Sequence, residues 1–186
     1  MVPLTSLWIP IILSAIAAFV LSSIIHMMLG YHKNDYRKLP AEDEVMEALR
    51  KAAIPPGDYA MPRAGSLKEM KSPAYLDKMK RGPVAVMTVM RSGTPSMSKN
   101  LVQWFIYCVV VGIFAAYVAG RALAPGAPFL AVLRFAGCTA FAGYALALWQ
   151  QTIWYNHSWI ATLKSTFDGL LYSLATGAIL GWLWPH

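Results

Sequence analysis

Apolar residues fall into four long runs separated by polar segments. Residues 4–29 contain no Asp, Glu, Lys or Arg, and the first charge in the chain is Lys33. A bilayer-crossing helix needs about 20 apolar residues, so this run predicts a first span, with Pro3 and Pro10 near its start where a missing amide is tolerated. No basic residue precedes the run, and it is longer than a signal-peptide core, so a retained helix is expected. Residues 101–120, 129–150 and 159–184 predict three further spans. The second lies between Lys99 and Arg121, the third follows the turn Pro125-Gly126-Ala127-Pro128, and the fourth stops at Pro185. Trp8, Trp149, Trp154, Tyr155, Trp159, Trp182 and Trp184 cluster at the ends of these runs, where amphipathic rings suit the headgroup layer.

Residues 31–99 read differently, as an insertion between spans one and two with its own local signals. Residues 41–53 predict an amphipathic helix, with Glu42, Asp43 and Glu44 in its first turn and Arg50 and Lys51 in its last. Ser66 and Glu69 have capping-box spacing. Ser72 before Pro73 is a second helix start. Residues 84–89 alternate as a strand does, and residues 58–61 are a pairing partner for it. The expected fold class is thus an all-α membrane protein of four transmembrane helices with a small α/β insertion, expected to be an ordered cap on the membrane surface.

Composition agrees. The chain is 57% hydrophobic and 13% charged, against about 25% charge in an ordinary soluble domain. Of the charged residues, only Arg121, Arg134, Lys164 and Asp168 lie outside the segment between Lys33 and Lys99. Most of the net charge of +7 therefore belongs to one loop. It predicts a cytoplasmic insertion with both termini on the other side, and no nucleic-acid partner. Cys108 and Cys138 both fall in apolar runs and predict no disulfide framework.

Three constellations bear on function. Small residues recur along the spans: Gly112, Ala116 and Gly120 in the second, Ala136, Gly137, Ala140 and Gly143 in the third, and Gly169, Ser173, Gly177 and Gly181 in the fourth. In lipid such ladders let backbones approach closely, either within one bundle or against another chain. A polar stripe, Lys164, Asp168, Tyr172 and Thr176, runs beside the last ladder, and Lys164 and Asp168 are spaced to pair as i and i+4. Lys164, Asp168 and Tyr172 with His26, Gln103 and Gln150 form one expected polar cluster at the cytoplasmic end, while Arg134 is expected to reach the outer headgroups. Third, His26, Met27, Met28 and His32 are weak metal or haem candidates, because six residues do not place two histidines on one helical face. Motifs for nucleotide binding, serine hydrolysis and zinc peptidase chemistry are absent, so an enzyme is not expected and neither is a resident cofactor.

The stretches 12–29 and 167–184, the latter FDGLLYSLATGAILGWLW, resemble bacterial four-helix inner-membrane proteins of unknown function. The resemblance implies a four-span protein of the bacterial inner membrane and carries over no catalytic residue. The long first loop departs from the short connection of that group. Three functions follow as expectations: an accessory or scaffold subunit that packs on other membrane subunits or on itself through the ladders; a small proton-coupled channel or carrier using Asp168, Lys164 and His26; and a metal- or haem-binding membrane protein.

Overall fold

The computed structural model describes residues 1–94 and 96–186. It divides into two compact units, Met1–Arg37 with Ser96–His186, and Lys38–Pro95. In chain order the elements are α1 (Trp8–Ile24), α2 (Glu42–Lys51), β1 (Gly57–Met61), α3 (Leu67–Met70), α4 (Pro73–Arg81), β2 (Ala85–Val89), α5 (Met97–Ala122), α6 (Phe129–Tyr144), α7 (Trp149–Tyr155) and α8 (Trp159–Trp182).

The first unit is a bundle in the cyclic order α1, α5, α6, α8, with each helix packed on its two neighbours. Its interior is built from small residues. Ala18, Ala115, Ala116, Ala119, Ala136 and Ala140 are all fully buried, while Ile16, Phe114, Phe135 and Leu174 point outward. Large apolar side chains on the outside and small ones within suit a lipid surround, where close backbone packing replaces hydrophobic attraction. Three helical segments are long and apolar enough to cross a membrane: Trp8–Leu29, Met97–Ala122 and Phe129–Tyr155. The last of these is not one continuous helix. It breaks at Ala145, passes through a 3-10 turn (Leu146–Leu148) and resumes as α7. No proline marks the break, and Gly143 lies two residues before it. The break falls where Tyr144 and Ala145 lie against Gly169 of α8, with the Ala145 Cβ only 2.9 Å from where a Gly169 Cβ would stand.

The glycine ladders are engaged inside this bundle. A Cβ on Gly177 would lie 2.9 Å from the Leu133 carbonyl oxygen and 3.0 Å from the Gly137 backbone. Gly181 meets Phe129, Gly112 meets Ile11 and Ser14, and Gly120 meets the Val2 carbonyl. Ala116 and Ser173 are buried in the same packing. At the end of the bundle holding the termini, Val2 N–H donates to the Gly120 carbonyl at 2.8 Å, and Trp184 Nε1 donates to the Ala124 carbonyl at 3.0 Å.

In the second unit β1 and β2 pair antiparallel, with Gly57 opposite Val89 and Met61 opposite Ala85. The serine caps form as the spacing predicts: Ser66 accepts from the Glu69 amide and Ser72 from the Tyr75 amide, each at 3.2 Å. The Glu69 carboxylate reaches back to the Gly65 amide at 2.6 Å. Among the described residues of this unit none is buried, so local hydrogen bonding shapes it and a core of its own does not.

Candidate functional site at the end of α1 and α8

The site begins with how α1 stops. Its last turn, Ile25–Leu29, widens to π-helical pairing, and Gly30 follows at φ +66°. Glycine takes that left-handed backbone without strain. The chain then turns sharply, with the Lys33 amide donating to the Gly30 carbonyl and the Asp35 amide to the His32 carbonyl. Residues 31–35 therefore fold back against α8 instead of leaving the bundle.

Asp168 of α8 lies under that turn and is only 2% exposed. Tyr31 Oη donates to its Oδ1, and His32 Nε2 is 2.8 Å from its Oδ2. The other imidazole nitrogen, His32 Nδ1, is 2.5 Å from Asp35 Oδ2. Lys164 Nζ donates to Asp35 Oδ1 and to the Tyr31 carbonyl, both at 2.7 Å. Ionised carboxylates only accept. A His32 ring nitrogen facing an ionised carboxylate is therefore placed to donate, and Lys164 supplies a full cation to Asp35.

The Lys164 ammonium beside Asp35 holds its carboxyl below the usual carboxylate range; burial opposes this and His32 adds to it. Burial, and then the Asp168 carboxylate that accepts its proton, push the Tyr31 phenol well above its ordinary value, so it stays a donor. His26 projects from the widened turn, its ring 4.7 Å from that of His32 and perpendicular to it. His26, His32 and Asp168 each offer a ligand atom within 4.8 Å of the others.

The sequence-predicted cluster is thus assembled in part. His26, Lys164 and Asp168 come together. Gln103 and Gln150 are exposed and take no part. Tyr172 is buried one turn beyond Asp168, and among the described residues its hydroxyl finds no hydrogen-bond partner, nor does that of Tyr144, whose ring lies 5.6 Å away. The expected Lys164–Asp168 pair does not form. Asp168 has both oxygens taken by Tyr31 and His32, and Lys164 reaches Asp35 instead. Met27 and Met28 are 84% and 75% exposed and stand apart from the cluster. Arg134 is exposed.

Spacing did not reveal Tyr31 and Asp35. The usable signal was Gly30 ending a span and the polar run Tyr31-His32-Lys33-Asn34-Asp35 directly behind it. Asp35 also borders a cleft of about 360 Å³ whose wall includes Gln151, His157, Ser158 and Ser165. Comparison with family models, with curated proteins and with solved structures gives no match. The fold and the site together define the class: a helical membrane protein with a buried ionic centre at one end of its bundle.

Proposed function

We propose that this chain is a four-span membrane protein that takes up a cation at the Asp168 end of its bundle and passes it, as a small channel or carrier. The observation that carries this reading is Asp168 itself. Ionisable groups within spanning helices are rare and usually mark ion or proton paths, so a carboxylate on α8 that is 2% exposed and enclosed by Tyr31 and His32 calls for a role beyond packing. A cation entering there would take the place of the His32 N–H at Asp168 Oδ2, with Lys164 remaining on Asp35.

Several features support α8 as the fourth span. At 24 residues and about 1.5 Å per residue it is roughly 36 Å long, and it lies along α6 from Phe129, at Gly181, to Tyr144, at Gly169. Both of its charges, Lys164 and Asp168, are paired with protein groups. The basic residues of the insertion favour a cytoplasmic location for it, and the bacterial inner membrane is proposed on the resemblance alone. The accessory-subunit reading drew its support from the small-residue ladders, whose members pack within this chain.

Reconstituting the full chain in proteoliposomes tests the proposal, with ion-sensitive dyes following K⁺, Na⁺, Mn²⁺ and Zn²⁺. The wild type is expected to pass at least one of these, and Asp168→Asn to abolish passage while keeping its helical circular dichroism. A folded wild type that passes none of them overturns the reading.

A further inference from the structure

The geometry points to a binding site for a divalent transition-metal ion of the zinc type, held by His26, His32 and Asp168, with Asp35 as a positioning residue for His32. It rests on the cation reading of the Asp168 end and names the ion.

The donor set decides the class. Two imidazoles and one carboxylate suit Zn²⁺ and its first-row neighbours, whereas Mg²⁺ and Ca²⁺ favour all-oxygen shells. With bonds of about 2.0–2.1 Å, the ligand atoms of a tetrahedral zinc site stand roughly 3.3 Å apart. His32 Nε2 and Asp168 Oδ2 are already at 2.8 Å, and all three ligand atoms are within 4.8 Å. The remaining closure falls to His26, an exposed side chain on the widened turn. Such single π-helical turns occur often at functional sites.

The surrounding contacts match what a metal-bound histidine needs. Its free ring N–H usually donates to a carboxylate, which fixes the tautomer and aims the other nitrogen at the ion. His32 has this arrangement: Nδ1 faces Asp35 at 2.5 Å and Nε2 faces Asp168. Lys164 steadies Asp35 from its other oxygen. Tyr31 occupies Asp168 Oδ1 and leaves Oδ2 to the ion. Three protein ligands leave one coordination position open, as in sites that exchange a ligand.

The test uses the full chain in detergent, stripped with a chelator. Zn²⁺ is titrated in competition with a chromophoric chelator, and Co²⁺ serves as the absorbance probe. One Zn²⁺ per chain is expected, and visible Co²⁺ bands of tetrahedral intensity. His26→Gln and His32→Gln are each expected to weaken Zn²⁺ binding by more than a hundredfold and to remove the Co²⁺ bands. Asp35→Asn is expected to weaken it by about 10–100-fold, and His157→Ala to leave it unchanged. Helical circular dichroism is compared throughout, and His26→Gln alters an exposed residue, which keeps the test open if Asp168 variants do not fold. Zn²⁺ affinity that survives His26→Gln and His32→Gln together overturns the site. Full affinity in Asp35→Asn overturns the positioning role. Metal binding without passage in proteoliposomes overturns the carrier reading and leaves the site standing. Asp168-dependent passage with Zn²⁺ affinity indifferent to both histidines does the reverse.

Discussion

His32 Nε2 lies 2.8 Å from Asp168 Oδ2, although 136 positions separate the two residues in the chain. The contact ties the turn after α1 to α8. It also places an ionisable ring over a carboxylate that the bundle otherwise shields from water.

Tyr31 supplies the other donor to Asp168. Tyr31→Phe keeps the ring and its packing against His32, with centroids 4.3 Å apart, but leaves one buried carboxylate oxygen unsatisfied. Such a loss costs about 1–3 kcal/mol. Thermal unfolding in detergent is expected to show Tyr31→Phe less stable than wild type by that amount, whereas Tyr36→Phe, at an exposed tyrosine, is expected to be neutral.

Two glycines at one helix crossing are expected to differ sharply. A Cβ on Gly177 meets backbone atoms of α6 at 2.9–3.0 Å, whereas one on Gly137 meets only the Ser173 carbonyl oxygen at 3.5 Å, an ordinary contact. Gly177→Ala forces α6 and α8 apart, and overpacking of this kind costs about 1–3 kcal/mol. Gly137→Ala is expected to be nearly neutral. Paired melting curves of the two variants check this.

Much of this architecture was legible in the sequence. Charge-free runs gave the long apolar helices, and charge order, serine caps and alternation gave the insertion's helices and hairpin, because those signals act over a few residues. The ionic centre was half legible. Asp168 and Lys164 stood out as charges in an apolar helix, and their spacing of four suggested a pair. Spacing gives proximity but not competition, and Tyr31, His32 and Asp35 outcompeted the intrahelical partner. The spacing of six from His26 to His32 argued against a shared site only if the helix continued. The π turn and Gly30 end it and fold His32 back. Helix three was read as unbroken because its apolar run continues past Ala145 without a charge or proline, and Gly143 alone is a weak break signal in a small-residue ladder.

The Asp35–Lys164 ion pair gives stability a pH dependence of known sign. The Asp35 carboxyl is held below its ordinary value of 3.8, first by Lys164 and then by His32. Its folded value is therefore depressed, so its contribution is complete above the ordinary value and lost as pH falls through the folded one. Lys164→Met is expected to remove most of that acid-sensitive contribution. Melting temperatures of wild type and variant, measured from pH 6 down to pH 3, are expected to draw closer as pH falls below the ordinary carboxyl value of 3.8.

If α8 crosses the bilayer, its two ends face opposite sides. His157 precedes α8, His186 follows it, and both are exposed. In a background lacking Cys108 and Cys138, a cysteine placed at one of these positions is expected to react with an impermeant maleimide added outside sealed, uniformly oriented vesicles. A cysteine at the other is expected to react only after the vesicles are opened. Equal labelling of both from outside means α8 does not cross.

The most direct measurement is a double-mutant cycle between His32 and Asp168. Unfolding free energies are compared for wild type, His32→Gln, Asp168→Asn and the double variant. Groups in one hydrogen-bonded network couple by about 0.5–3 kcal/mol, and this buried ionic pair is expected in the upper half of that range. Strictly additive losses would mean that the turn after α1 does not engage the α8 carboxylate, and the ionic centre would not exist.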